Sequence, residues 1–239
     1  MDDNFSMTPQ SAFAATTVAG AERVTAFLRK VYGWMCVGLG ITAAVAFAVA
    51  GSPTILRAIV ANPILYIGLF VAELGLVFYL SARVARLAPG TAAALFVLYS
   101  ALNGATLSFI LLAYTGTSVA TTFAVTAGMF GALALYGSTT RRSLAGIGQF
   151  VFMGLIGVIL ASIVGLFWHS PGLQFVISVV GVIVFTGLTA WDAQRLKQMA
   201  AVTPEGEVSS YAVVGALALY LDFINLFLFL LRFLGGRRN

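Results

Sequence analysis

Seven stretches of this chain, at approximately residues 31–51, 63–82, 91–113, 118–137, 145–168, 172–192 and 211–234, are continuous apolar runs. A bilayer core of about 30 Å is crossed by roughly 20 helical residues, so each run is read as one membrane span. In lipid every backbone N–H and C=O must be satisfied inside the protein, which leaves helices or a closed barrel. Barrel strands are about ten residues long and alternate in polarity; these runs are longer and do not alternate. Composition agrees: 60% of the 239 residues are apolar and 9% charged, with mean hydropathy +1.00, whereas about a quarter of the residues in a globular domain are charged. The spans use most of the chain and leave no room for a separate soluble domain. The reading is an all-α membrane protein of seven transmembrane helices over residues 23–239, preceded by a mobile polar tail, residues 1–22.

The connections set the orientation. Arg23, Arg29 and Lys30 precede the first span, and Arg83, Arg86, Arg141, Arg142, Arg195 and Lys197 occupy the second, fourth and sixth connections, nine cations on one side. Arg57, Arg232, Arg237 and Arg238 make four on the other. The positive-inside rule then puts the N-terminus in the cytoplasm and, after seven spans, the C-terminus outside, in a cell (inner) membrane. The net charge of +5 is read as this topology signal, with cationic loops facing anionic lipid, and no nucleic-acid partner is expected. The N-terminus opens with Asp2 and Asp3 where a secretory signal has a basic region, so an uncleaved tail is expected.

Single residues outside the charged set have plain readings. Cys36 is the only cysteine, which excludes an intrachain disulfide; it is expected to be a small buried residue of the first span. Tyr32, Trp34, Trp168 and Trp191 fall near span limits, where amphipathic rings sit at headgroup depth, although ordinary packing explains them equally. His169 has no second His or Cys close by and is read as a loop residue rather than a metal ligand.

The acids inside the spans carry the functional argument. Of eight acidic residues, Glu73, Asp192 and Asp222 fall within or at the end of an apolar run. An ionised carboxylate there costs about 2.5–3.5 kcal/mol on insertion scales, so such a group faces the bundle interior and finds a partner. In the last run, Asp222, Asn225, Phe229 and Arg232 stand at i, i+3, i+7 and i+10, one stripe of a helix at 100° per residue. Depth favours Glu73, or another group in the outer half, meeting Arg232. It favours Asp192 meeting Arg83 or Arg86 at the inner end. Buried ions can also serve only to fix helix register.

Three segments, FLRKVYGWMCVGLGITAAVAFAVA at 27–50, FTGLTAWDAQRL at 185–196 and ALALYLDFINLFLFLLRFLG at 216–235, together resemble the Bax inhibitor-1 (transmembrane Bax inhibitor motif) family in its bacterial branch. The resemblance implies two three-helix layers around a central C-terminal helix. It further implies a pH-sensitive calcium leak channel whose sensor is a proton-sharing aspartate pair, matched by motif to Asp192 and Asp222. An arginine late in the second helix, here Arg83 or Arg86, is implied as partner of the sixth-helix aspartate, and Glu73 as partner of Arg232. The family's tyrosine is replaced by Trp191, which keeps an aromatic ring and loses a hydroxyl.

Physics gives such a pair a mechanism: two carboxylates in hydrogen-bond reach share one proton and titrate as a unit, so its loss leaves two repelling charges. Asn225 is read as a supporting polar group. No cofactor is expected. The resemblance implies calcium as the permeant ion, and Asp192 and Asp222 are expected to hold it only weakly and transiently, because Ca²⁺ takes six to eight oxygens and a tightly held ion would not leave.

The resemblance also implies an alternative, a non-transporting regulator that binds a membrane protease or a cell-death or stress partner. An intramembrane aspartyl protease also needs two aspartates, but LYLDF at 219–223 lacks the glycine-rich context of that class. No P-loop, dinucleotide fingerprint or serine elbow is present, and the chain is read as not an enzyme. A proton-coupled transporter would show spans broken by Gly or Pro at matched positions in two halves, and none is visible. One geometric difficulty stands: Asp192 closes the expected sixth span, whereas Asp222 is about eleven residues, roughly 17 Å, inside the seventh. Either the sixth helix runs on or the connection 197–210 folds into the bundle.

Overall fold

The computed structural model describes residues 9–168, 170–236 and 238, with side chains for all of these except 9–19, 60, 66 and 205. His169 and Arg237 lie outside the described residues, as do residues 1–8 of the expected tail. The chain forms α1 (Pro9–Ala50), α2 (Pro53–Val60), α3 (Pro63–Arg83), α4 (Pro89–Ala113), α5 (Gly116–Thr139), α6 (Ala145–Phe167), α7 (Pro171–Val202) and α8 (Val208–Leu234). All except α2 contain a stretch long and apolar enough to cross a membrane, seven in total among the described residues.

Local sequence explains where several helices begin. Proline occupies the first turn of α2, α3, α4 and α7, where its missing N–H leaves no intrahelical bond unmade. Asn62 Oδ1 accepts from the N–H groups of Ile64 and Leu65 at 3.1 and 3.2 Å, while Thr115 and Ser170 cap α5 and α7 through their hydroxyls. These caps satisfy N–H groups that no helical carbonyl can reach.

Two boundaries differ from those read in the sequence. Residues 9–22, assigned to the tail, are helical, and α1 passes through the expected boundary at 22/23 without a break; the alanine-rich stretch there favours helix. The sixth span was ended at Asp192, yet α7 continues ten residues further, to Val202. Hydropathy falls at Asp192, but AQRLKQMAAV is made of good helix formers and the backbone ladder does not stop where the apolar run does. Since α8 starts at Val208, fourteen residues before Asp222, the antiparallel pair brings both aspartates to one level. The difficulty is removed by the longer helix.

Helix α8 is the axis of the bundle. In its most apolar stretch 67% of the residues are buried, against 12–44% in the other spans, and Leu217, Leu219, Tyr220, Leu226 and Leu231 are all but inaccessible. The first set of spans, α1, α3 and α4, packs through α4. In the second set, α5 and α6 both pack on α7, and α8 contacts members of each set. This grouping is compatible with two three-helix layers about a central last helix. Outward faces are apolar, with Phe47, Phe78, Phe150 and Met153 more than half exposed, as a hydrocarbon solvent requires. Cys36, expected to be buried, is on this exposed side.

Small residues permit the closest approaches. A Cβ built on Gly104 of α4 would lie 2.6 Å from the Thr42 carbonyl oxygen and 2.9 Å from Val45 Cβ of α1. Backbone cannot step aside, so this contact needs glycine. Gly128, on the exposed side of α5, has nothing within 4 Å of such a Cβ. Gly104→Ala is therefore expected to cost on the order of 1–3 kcal/mol through overpacking, while Gly128→Ala leaves stability unchanged or raises it by up to about 1 kcal/mol. Thermal unfolding of the two variants side by side in detergent checks this; equal melting temperatures would contradict the α1–α4 contact.

Candidate functional site

The polar stripe of α8 faces α7 along its whole length. Asp222 meets Asp192, and Phe229 stacks on Phe185 with centroids 5.8 Å apart and planes at 28°. The same Phe229 ring lies against Gly181, and Arg232 Nη1 donates to Gln174 Oε1 at 3.2 Å. As numbers rise on α8 they fall on α7, as an antiparallel pair requires. Asn225 lies on this face, but its amide donates to the Leu221 carbonyl of its own helix at 2.8 Å, and among the described residues it holds no hydrogen-bond partner across the seam.

Asp192 and Asp222 face one another within hydrogen-bonding reach. Asp222 is 5% exposed, and its Oδ2 is buried without a hydrogen-bond partner. Ionised carboxylates only accept, so the two can satisfy each other only with a proton between them. Asp192 is less enclosed and lines a cavity of about 350 Å³ together with Ser81, Val84, Arg195, Met199 and Tyr211. This cavity lies toward the end of the bundle that carries the α3–α4, α5–α6 and α7–α8 connections, called here the basic end. Among the described residues no group of three or more His, Cys, Asp or Glu side chains gathers, so the pair offers a cation two carboxylates and no third acid.

The cation beside Asp192 is Arg195, whose guanidinium carbon is 5.7 Å from the centroid of the Trp191 ring. Arg83 and Arg86 are exposed, and among the described residues neither forms an ion pair with Asp192. The residues of this segment that line the cavity are Ser81 and Val84, and side chains two residues further on point away from that face. The i, i+3 spacing of Asp192 and Arg195 was the available signal. Trp191, read as closing its span, is eleven residues from the end of α7 and lies over Gly148 of α6, where a Cβ would collide with the indole.

Glu73 does not meet Arg232. Its carboxylate accepts from Asn103 Nδ2 at 3.2 Å and Thr106 Oγ1 at 2.5 Å, two groups one turn apart on α4. From there a chain of hydroxyls crosses the bundle: the Tyr220 hydroxyl lies 3.0 Å from Asn103 Oδ1 and 2.6 Å from Thr42 Oγ1, and Thr42 Oγ1 lies 2.9 Å from the Ser100 carbonyl, two hydroxyl protons serving three contacts. Four helices, α1, α3, α4 and α8, are joined by this cluster. Neutral partners on the adjacent helix satisfy the carboxylate, and Arg232 is left exposed at the other end of α8's face. Nothing in the residue types Asn, Thr and Tyr taken singly marked the cluster out.

The basic end is also stitched by side chains the sequence reading passed over. Gln194 of α7 accepts from Leu144 N–H and donates to the Arg142 carbonyl, both at 2.8 Å, holding the α5–α6 connection. Ser210 of α8 donates to the Leu87 carbonyl at 2.8 Å, and Arg23 of α1 donates to the Thr203 carbonyl at the end of α7.

At the far end, a second cavity of about 500 Å³ is lined by Ser170, Gln174, Ser178 and Arg232. Both cavities lie on the α7–α8 seam. Between them stand the aspartate pair and the Phe185–Phe229 stack.

Tyr220→Phe and Asn103→Leu each break the Glu73 chain, the second leaving both Glu73 and Tyr220 short of a partner. Losses of about 1 kcal/mol and about 2–3 kcal/mol are expected, in that order. Thermal melts that rank the two the other way round, or show no change, would argue that the cluster does not hold the helices.

Comparison with known proteins bears on the whole bundle. The pattern of the family described as "Inhibitor of apoptosis-promoting Bax1" matches residues 24–239. Inner membrane protein YbhL of Escherichia coli is 50% identical over 215 residues, 89% of this chain and 92% of its own length. An uncharacterised protein of Borreliella burgdorferi is 46% identical over 215 residues, 89% of this chain and 93% of its own. One of Deinococcus radiodurans is 41% identical over 227 residues, 95% of this chain and 96% of its own.

Proposed function

The chain belongs to the Bax inhibitor-1 family of membrane proteins, and from that premise we propose that it is a proton-gated leak for cations, calcium among them, in a closed conformation. The observation that carries the reading is the buried contact between Asp192 and Asp222 on a helix seam with a cavity at either end. A shared proton satisfies both carboxyls at once. Its removal leaves two like charges in a shielded site, a state relieved only by a cation entering from the basic-end cavity or by separation of α7 from α8.

Arg195 contributes a fixed positive charge beside Asp192 and competes with an arriving cation for it. The pair holds calcium weakly, since two carboxylates fall short of the six to eight oxygens that the ion prefers, and a leak needs an ion that departs. Passage onward requires Phe185 and Phe229 to part, because their stacked rings and the Gly181 backbone fill the seam between the aspartates and Arg232. By the positive-inside rule the basic end, with the N-terminus, is cytoplasmic and the C-terminus outside. The name of the Escherichia coli relative supports an inner-membrane location.

Calcium flux into liposomes between about pH 6 and about pH 8 tests the reading. The parent is expected to show a pH-dependent leak, and Asp192→Asn and Asp222→Asn a leak that no longer follows pH, because the remaining carboxyl has no acidic neighbour to share a proton with. Parent and variants leaking alike at every pH would sink the aspartate switch, and absence of flux from all of them would move the reading to a regulator that binds a membrane protease or another membrane protein. Phe229→Ala tests the closure separately: about a tenfold rise in flux with the pH dependence retained is expected, and an unchanged rate would place the barrier elsewhere.

A further inference from the structure

On the opposite face of α8 from the aspartates, α1 and α4 form one wall and α5 the other of an apolar groove of about 410 Å³, with Phe223 and Phe227 of α8 as its floor. Among the described residues α1 and α5 barely touch, and α4 and α5 do not pack along their lengths, so the groove is a gap between the two sets of spans. Phe47 and Phe123 at its rim are 66% and 46% exposed, so it opens sideways into the membrane rather than to water. Its polar lining group is Thr42, whose hydroxyl is already engaged by Ser100 and Tyr220. Water entering would find no free partner, and an apolar space of this kind stays dry or takes up hydrocarbon.

The upper end of the groove carries a charge. Leu111 and Gly116, which flank the α4–α5 turn, line it, and the chain that leaves α8 folds back over that turn. Thr115 N–H donates to the Gly236 carbonyl at 3.2 Å, and Arg238 N–H to the Ala113 carbonyl at 3.0 Å. Arg238 Nη1 donates to the carbonyl of Leu111 itself at 3.4 Å. The backbone bonds thereby place an exposed guanidinium at the lip of an acyl-sized groove, at the end of the spans where headgroups lie, and among the described residues no carboxylate pairs with it. Guanidinium groups bind phosphate oxygens in charge-assisted pairs.

We propose that this groove is a binding site for one phospholipid, its phosphate on Arg238 and one acyl chain between α1 and α5 against Phe223 and Phe227. The occupant follows from the two halves together: an anionic group for the exposed arginine and an unbranched apolar chain for a dry slot that only the bilayer can reach. The inference stands apart from the leak reading, since it uses neither aspartate.

Native mass spectrometry of the full chain, delipidated in detergent and titrated with phosphatidylglycerol, tests it. The parent is expected to retain one lipid. Arg238→Gln, which removes the charge, and Ala120→Trp, which fills the groove, are each expected to lower retention at least about tenfold. Leu135→Trp, on an α5 side chain 65% exposed elsewhere on the helix, is expected to retain lipid like the parent. Should Ala120→Trp fail to fold by its melting curve, Ala43→Phe fills the same groove from α1. A parent that retains no lipid, a charge or groove variant that retains it undiminished, or displacement of the lipid by inorganic phosphate would overturn the proposal.

Discussion

The seam between α7 and α8 is the constraint from which the rest of the bundle follows. A helix carrying Asp222, Asn225 and Arg232 through hydrocarbon is tenable only if another helix covers that face, because insertion of even one such group into lipid costs a few kcal/mol. Helix α7 covers it with partners of matching kind: a carboxyl for a carboxyl, a ring for a ring, an amide for a guanidinium. Once α7 is committed to this face, α6 packs behind α7, α5 packs on both α7 and α8, and α1 and α4 fill the remaining sides of α8. The burial of α8, higher than that of any other span, is a consequence of its polarity as much as of its apolar surface.

Most of the architecture was legible in the sequence because membrane spans are set by length, and length can be read directly. The stripe at 222, 225, 229 and 232 was equally legible, since helical periodicity places residues on a face without knowledge of what covers it. Helix ends were less so. Hydropathy reports where lipid stops, whereas a helix stops where its backbone bonds do, and α7 runs ten residues past Asp192 on side chains that are polar yet favour helix. The same confusion put Trp191 at an end it does not occupy.

Pairings between helices were the least legible. Glu73 and Arg232 have opposite charge and compatible depth, yet depth fixes only one coordinate of three. The azimuth of α3 turns Glu73 toward Asn103 and Thr106 of α4, and a carboxylate offered two neutral donors one turn apart has no need of a distant guanidinium. For Asp192 the error ran the other way: Arg83 and Arg86 were sought across the bundle although Arg195 stands on the same helix. In both cases the nearer group prevails because a long cationic side chain loses rotamer freedom by reaching, while a neighbour on the adjacent turn or helix is already in place.

Two buried polar clusters therefore meet on α8 from different sides. Tyr220 joins the Glu73 chain of α1, α3 and α4, and Asp222, two residues later, joins α7. At 100° per residue these side chains point about 200° apart, so the helix is held between them. Sliding α8 along its axis or turning it far enough to part Asp222 from Asp192 also strains Tyr220 against Asn103 and Thr42, whose hydrogen bonds tolerate a few tenths of an ångström before they weaken. Moving α7 instead leaves the Tyr220 chain intact. On its other side α8 meets α7 through Asp192, through Phe185 and Gly181 against the ring of Phe229, through the bond from Arg232 to Gln174 and through the Phe175–Phe233 contact at 5.6 Å, and none of these contacts depends on the Tyr220 chain.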